Sequence, residues 1–154
     1  MSLLARFRKP GGFQQLLNVV ETCAPPKQES LLKSIENEDP VTANLVRIKM
    51  LSVEKIVAWS SDPLFEVANR MPEKLLATFL KNKDEAIFKK FTQHLPHLRV
   101  KALQEVMALT DPTPGELFTA DMKLIETVRL LEKESVLNLK YISPELDTND
   151  VKVA

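Results

Sequence analysis

Two histidines, His94 and His97, have a spacing that could bind a metal ion. Side chains three residues apart can share one helix face, where two imidazole nitrogens could ligate zinc. Pro96 lies between them, and because proline disrupts a helix interior, we expect a helix boundary to separate them. No cysteine is nearby, and the neighbouring acidic residues form no ligand pattern. The sequence therefore predicts no metal site.

The sequence also lacks the known motifs for nucleophilic catalysis and for phosphate binding. Cys23 is the one cysteine, so it cannot form an internal disulfide; we interpret it as a small apolar residue near a helix end. The sequence contains no G-x-S-x-G elbow, no phosphate-binding loop and no dinucleotide-binding fingerprint. We therefore predict a binding module with no catalytic residues and no cofactor.

The amino-acid composition argues against nucleic acid and membranes as the main partners. The 21 basic residues balance the 21 acidic ones, so the chain as a whole has no charge that would attract nucleic acid or an anionic membrane. Hydrophobic residues make up 44% of the chain, enough for a core, but no apolar run is long enough to span a membrane. Without a recognisable signal peptide, a cytoplasmic location is expected.

Proline marks the helix boundaries among these residues. Of the 10 prolines, three follow an aspartate: Asp39-Pro40, Asp62-Pro63 and Asp111-Pro112. Proline is tolerated at the first helical position and the preceding aspartate can cap the helix, so each pair predicts a helix start. Met71-Pro72 and Leu95-Pro96 predict two further starts without a capping carboxylate.

Apolar residues recur with helical spacing between these boundaries. Residues three and four apart share a helix face, so the spacing predicts about eight short helices, the longest over about residues 115–134. Their apolar residues are Phe13, Leu16, Leu17 and Val20; Leu31, Leu32 and Ile35; Val41, Leu45, Val46 and Ile48; Leu64, Val67 and Met71; Leu75, Leu76, Phe79 and Leu80; Ile87, Phe88 and Phe91; Leu98, Ala102, Leu103, Val106 and Met107; and Leu117, Leu124, Ile125, Val128 and Leu131.

Short links between successive helices predict an all-α fold, an irregular armadillo- or HEAT-like stack of about eight short helices in two lobes joined by a hinge. We place an armadillo-like lobe at residues 11–52, the hinge at 53–61, a C-terminal helical lobe at 62–134 and a loose, polar tail at 135–154. Trp59 is expected to pack between the lobes.

A dense cluster of mixed charge surrounds one predicted helix start. Its members are Lys81, Lys83, Asp84, Glu85, Lys89 and Lys90. Asp84 and Glu85 suit the positive N-terminal end of the following helix, which is a structural interpretation. An electrostatic docking face for a charged partner is the functional alternative.

Several short motifs, taken in order, resemble a known family. Gly11-Gly12 begins a helix, and later segments carry LLKSIENEDP at 31–40, KMLSVE at 49–54, KLLATFLK at 74–81 and FKKF at 88–91. This order over about residues 11–134 resembles the C-terminal part of FliG, the bacterial flagellar motor switch family. The segment at 49–54 resembles the Met-Phe-x-Phe hinge of that family.

The resemblance implies a role and a set of partners. It implies a cytoplasmic rotor module at the flagellar basal body that binds FliM-like switch proteins, the cytoplasmic region of the stator, and a further copy of itself. Lys81 and Glu105 match charged positions of the family's torque surface, with Arg99 beside a third. Met50, Leu51 and Val53 would form the hinge.

Some positions depart from the family pattern and leave alternatives open. Leu98, Val106 and Pro114 stand where the family has charged residues, and Leu51 and Val53 replace two phenylalanines. A generic helical adaptor that kept the fold and lost the motor role is therefore an alternative. A third is a regulatory domain like the helical cytoplasmic domain of magnesium transporters.

Overall fold

The computed structural model describes residues 2–148 and 151, and this part of the chain forms ten α-helices and no β-strand. The helices are α1 (Gly12–Glu21), α2 (Pro25–Glu38), α3 (Pro40–Lys49), α4 (Val53–Val57), α5 (Ser61–Arg70), α6 (Glu73–Lys81), α7 (Glu85–Thr92), α8 (His97–Leu109), α9 (Pro114–Lys133) and α10 (Leu139–Ile142). Two 3₁₀ turns cover Ala5–Phe7 and Pro144–Leu146. The all-α prediction is confirmed, and the two helices that it missed are the short α4 and α10.

Helix starts follow the local chemistry of the chain. Pro25, Pro40 and Pro114 occupy the first turns of α2, α3 and α9, where a missing N–H costs no hydrogen bond. Asp39 caps α3 as predicted, since its carboxylate accepts from the backbone N–H groups of Val41 and Thr42.

The two other Asp-Pro predictions of a helix cap are wrong. Helix α5 begins one residue before Asp62, with Ser60 at the cap position. Helix α9 begins at Pro114 and is capped by Thr113, whose hydroxyl accepts from Glu116 N–H while the Glu116 carboxylate accepts from Thr113 N–H. This reciprocal pair satisfies two free N–H groups, so it outcompetes a cap at Asp111.

The chain forms two compact units. The first unit consists of the described residues of Met1–Leu51 and Leu139–Ala154. Its core contains Leu4, Phe7, Phe13, Leu16, Leu17, Val20, Leu32, Ile35, Ala43, Val46 and Met50, with Leu3, Leu31, Leu45 and Val151 packed against it. Within this unit α2 packs on α3, and α1 contacts both.

The Gly11-Gly12 pair is required at the start of α1. Gly11 has a φ of 78°, in the left-handed region that favours glycine. A Cβ on Gly12 would lie 1.8 Å from the Phe7 carbonyl oxygen, so no larger residue fits there. Together the two glycines let the 3₁₀ turn lie directly against α1.

The second unit is Ser52–Asn138. Helix α6 packs against α8 and α9, while α5 packs against α7 and α9. Phe79 of α6 and Phe91 of α7 meet edge to face with ring centroids 5.5 Å apart. Trp59 is buried in this unit, and its indole Nε1 has no hydrogen-bond partner among the described residues. The proposed role of Trp59 between lobes stays a prediction.

On α3 and α8, the apolar stripe predicted from the sequence is wider than the helix face that is buried. Val41 of α3 is 70% exposed and Leu98 of α8 is 79% exposed, whereas Val46 and Leu103 are buried. In each helix the two residues are five apart, which separates them by about 140° around the helix axis. The residue on the packed side is buried, and the other remains on the surface.

The described part of the C-terminal segment and the expected hinge differ from their predicted forms, while residues 149, 150 and 152–154 of the predicted tail lie outside the described residues. Residues 135–148 include α10 and a 3₁₀ turn that contacts α3, and Leu137, Leu139 and Leu146 are buried. Residues 53–61 contain α4 and belong to the second unit; the chain passes from the first unit to the second at Leu51–Ser52. In the described part of the chain, no helix is long and apolar enough to cross a membrane.

Candidate partner-binding site

Lys81 is held at the end of a neighbouring helix. It is the last residue of α6, and its Nζ donates a hydrogen bond of 2.7 Å to the carbonyl oxygen of Met107 near the end of α8. The last carbonyls of a helix lack intrahelical partners and carry partial negative charge, so an ammonium group is stabilised there. The structure therefore places the Lys81 charge at the C-terminal end of α8.

Glu105 lies on the same end of α8 and faces solvent. Its side chain forms no ion pair or hydrogen bond within the described residues. Lys81 and Glu105, one charge of each sign, therefore both lie near the C-terminal end of α8. Glu105 and Met107 are two residues apart, about 160° around the helix axis, so a partner that contacts both charges has to span the end of the helix.

Arg99 is engaged within the second unit. Its guanidinium donates to the Ala68 carbonyl oxygen at 3.0 Å and to the Asn69 side chain, and its Nε lies 3.6 Å from a Glu73 carboxylate oxygen. These contacts connect the start of α8 to the end of α5 and the start of α6. In this structure Arg99 positions α8, and its role in binding a partner stays a prediction.

A shallow groove of about 330 Å³ borders Lys81. Its other lining residues are Leu80, Lys83, Glu85, Phe88, Gln104 and Met107, from the end of α6, the following loop, α7 and α8. Lys83 Nζ also lies 4.7 Å from the centre of the Phe79 ring. The sequence pointed to Lys83 and Glu85 as charged residues but gave no signal that α7 and α8 form one groove.

Other members of the charged cluster support the structural interpretation. Asp84 caps α7, because its carboxylate accepts from Ile87 N–H at 2.9 Å. Lys90 donates to the carbonyl oxygens of Val57 and Trp59, at the end of α4. Asp84 and Lys90 thus bond to backbone groups at helix ends, so fewer charges of the cluster remain available to a partner.

The surroundings of Asp121 in the second unit change the pKa of its carboxyl group. Asp121 of α9 is half-buried, and partial burial raises the pKa of its carboxyl group. The positive charge of Lys83 opposes this shift, and the negative charge of Glu54 adds to it. Asp121 was not among the predicted site residues, since burial cannot be read from its sequence neighbours.

The predicted hinge residues are each held within their own unit. Met50 and Leu51 are buried in the first unit, and Leu51 N–H donates at 2.6 Å to the Oε2 of Glu21, a carboxylate that is only 1% exposed. Val53 begins α4 of the second unit, where Ser52 Oγ accepts from Lys55 N–H at 3.2 Å.

The two histidines belong to different structural elements of the second unit. His94 follows α7 and His97 begins α8, so the two do not share a helix. His94 Nε2 lies 3.2 Å from both Ser61 Oγ and Asp62 Oδ1. No group of three metal-ligating side chains occurs among the residues that the structure describes.

Comparisons with known proteins agree on one family. The family model for the FliG C-terminal domain matches residues 33–139. The flagellar motor switch protein FliG of Borreliella burgdorferi is 22% identical over 129 residues, which are 83% of this chain and 38% of that protein. The chain therefore spans well under half the length of this relative.

Solved structures show the same fold. FliG from H. pylori, crystallised as a segment, matches with a TM-score of 0.60 and 21% identity over 87% of this chain and 64% of that one. Full-length FliG from Aquifex aeolicus matches with a TM-score of 0.51 and 23% identity over 80% of this chain and 39% of that one. Because the matching family model covers more than half of its residues, this chain belongs to the FliG C-terminal domain family.

Proposed function

We propose that this protein is a non-catalytic module of the flagellar switch complex that acts by binding other proteins. One observation carries the proposal: Lys81 and Glu105, opposite in charge, both lie at the C-terminal end of α8 on the surface of the second unit. Membership in the FliG C-terminal domain family supports a motor switch role for this surface.

The partner proposed for this surface is the charged cytoplasmic region of a stator, with a FliM-like rotor protein binding elsewhere on the chain. The groove beside Lys81 could accept an apolar side chain next to a partner's acidic group, since Leu80, Phe88 and Met107 line it. Met50, Leu51 and Val53 are proposed to serve as the hinge, because the chain leaves the first unit at Leu51. The proposed location is the cytoplasmic face of the basal body.

A pull-down from native cells with tagged protein tests this function. The test variant is Lys81→Glu with Glu105→Lys, and the matched control is Lys133→Glu, an exposed lysine at the end of α9 outside the charged cluster. We expect wild type and control to capture rotor and stator proteins, and the test variant to lose the stator. If the test variant melts at a lower temperature in proportion to its loss of binding, the two residues are structural and the surface assignment fails.

A second candidate function is an adaptor that kept the fold without the motor role. Two observations favour it: Arg99 is engaged inside the unit, and Leu98 is an exposed apolar residue where the family resemblance expects an arginine. If wild-type protein captures neither rotor nor stator components, the motor assignment is dropped in favour of the adaptor.

A further inference from the structure

The outward face of α8 carries an apolar stripe. Leu98, Ala102, Val106 and Leu109 follow one another at spacings of four, four and three residues, which places them along one side of the helix. Leu98 is 79% exposed and Leu109 is 90% exposed, while Leu103 is the buried residue of this helix. A surface helix normally presents polar residues outward, so this stripe indicates a surface that another molecule covers.

Two opposite charges follow one edge of the stripe. Lys101 and Glu105 are both exposed, lie four residues apart, and form no ion pair with any described residue. Both lie on the same side of the line from Leu98 to Leu109, since their positions around the helix axis precede that line by about 65° and 30°. The stripe therefore has a charged edge that is positive towards the helix start and negative towards its end.

We propose that α8 pairs antiparallel with α8 of a second copy of this chain, around a two-fold axis between Leu103 and Gln104. Leu98 and Leu109 each lie about 8 Å from that midpoint along the helix, on opposite sides. Antiparallel pairing therefore places Leu98 against Leu109 of the second copy, and the reverse. The small Ala102 lies against the larger Val106 of the second copy.

Charge complementarity selects the second copy and its direction. A two-fold axis across the helices keeps the charged edge of one copy beside the charged edge of the other, with the direction reversed. Lys101, about 4 Å to one side of the midpoint, then lies beside Glu105 of the second copy, about 2 Å to the same side. The pairing occurs twice. A parallel pair, with its two-fold axis along the helices, would put the two charged edges on opposite sides of the interface and form neither ion pair.

The resulting interface is one helix wide, so we expect weak association that depends on protein concentration. The interface shares Glu105 with the surface proposed for the stator, whereas Leu98 and Leu109 take no part in the site at Lys81, so variants of these two leucines test the dimer separately from the motor role. Sedimentation equilibrium of the full chain at low salt, from about 10 μM to about 1 mM, should show a monomer–dimer equilibrium.

Substitution of the stripe tests the apolar contact. Leu98→Ser and Leu109→Ser should each weaken dimerisation by roughly tenfold or more, because each change acts twice in a symmetric pair. Val41→Ser, at a 70% exposed position on α3, is the matched control and should leave dimerisation unchanged. Equal dimerisation of both stripe variants and wild type would overturn the proposal, as would a wild-type protein that stays monomeric throughout.

Charge exchange tests the direction of the pair. Lys101→Glu alone and Glu105→Lys alone should each weaken dimerisation by roughly fivefold or more, since each creates two like-charge contacts. The double variant Lys101→Glu with Glu105→Lys should regain the wild-type constant, because the two pairs form again with reversed signs. A double variant that is weaker than both single variants contradicts this pairing.

Disulfide crosslinking tests the register. In a Cys23→Ser background, an equimolar mixture of Leu98→Cys and Leu109→Cys chains should form a crosslinked dimer on oxidation. Each variant alone should not, because like positions are then about 16 Å apart along the helix, and a disulfide needs Cα atoms within about 7 Å. Crosslinking of Leu98→Cys alone would show a parallel pair and overturn the proposed arrangement.

Discussion

At the scale of single residues, many charged side chains of this protein act at helix ends. Asp39 caps α3 and Asp84 caps α7, while Lys81 and Lys90 donate to carbonyl oxygens near the ends of α8 and α4. Helix ends expose backbone groups without intrahelical partners, and short helices have many ends per residue. Many of the charged side chains therefore serve the fold itself, and only the remaining ones are left to contact a partner.

Among the charged residues, Glu21 is the one whose substitution should reduce the stability of the fold most. Its carboxylate is buried and accepts from the buried Leu51 N–H at 2.6 Å. Glu21→Ala should lower the free energy of unfolding by about 2 kcal/mol, because the Leu51 donor is left buried without this acceptor. Urea denaturation would measure the change.

Glu21→Gln is the matched control for that substitution. The glutamine carbonyl oxygen can still accept from Leu51, so this variant should lose less stability than Glu21→Ala. If both variants lose the same amount, the hydrogen bond to Leu51 is not the source of the effect.

Arg99 shows why the binding residues could be predicted only in part. The sequence placed it beside a charged position of the family, but its partners Ala68, Asn69 and Glu73 are 26 to 31 residues earlier in the chain. Only packing of α8 against the ends of α5 and α6 brings these groups together. Lys81 was identified from its position, while its contact with the Met107 carbonyl had no sequence signal.

At the scale of helices, the cap of α3 should make part of the stability depend on pH. The hydrogen bond from the Thr42 hydroxyl, together with those from Thr42 and Val41 N–H, lowers the pKa of the Asp39 carboxyl group. The ionised cap therefore stabilises the fold fully above the unfolded-state pKa of about 4, and this contribution is lost as pH falls through the lower folded-state pKa.

Replacement of Asp39 by asparagine tests this pH dependence. Asparagine can cap a helix but does not titrate, so Asp39→Asn should lose less stability than wild type between about pH 5 and pH 2. Urea midpoints measured at several pH values in this range would give both slopes. Parallel slopes for the two proteins would show that the Asp39 cap does not contribute to acid unfolding.

Helix α8 differs from the other helices because its apolar residues extend around much of its circumference. The packed side carries Leu103, and the outward side carries Leu98 and Leu109. The sequence periodicity placed Leu98 and Leu103 in the same apolar stripe. A wide stripe has the same sequence pattern whichever part of it is buried by neighbouring helices. The neighbours of α8 decided which side became core.

At the scale of the whole molecule, the chain begins in the first unit, forms the second, and returns to the first. The return depends on Leu139 and Leu146, both buried, and on the contact between the 3₁₀ turn at Pro144–Leu146 and α3. The last described segment thus belongs to the first unit and packs against α3.

Leu146→Ala should lower the free energy of unfolding of the first unit by about 2–5 kcal/mol, because Leu146 is fully buried and its truncation leaves a cavity. Hydrogen exchange should become faster in α1–α3 and stay unchanged in α6–α9. Tyr141→Ala, at a 79% exposed position, is the control and should change neither set. Equal acceleration in both units would contradict the assignment of Leu146 to the first unit alone.

The sequence by itself determined the all-α class and most helix positions. The longest helix, expected over about residues 115–134, is Pro114–Lys133, because proline, capping residues and apolar periodicity act within a few residues of one another. Tertiary structure decided the rest: that Arg99 is engaged within its unit, that Leu98 faces outward, and that residues 139–148 return to the first unit. These outcomes depend on contacts between distant residues, and such contacts form only when the helices pack.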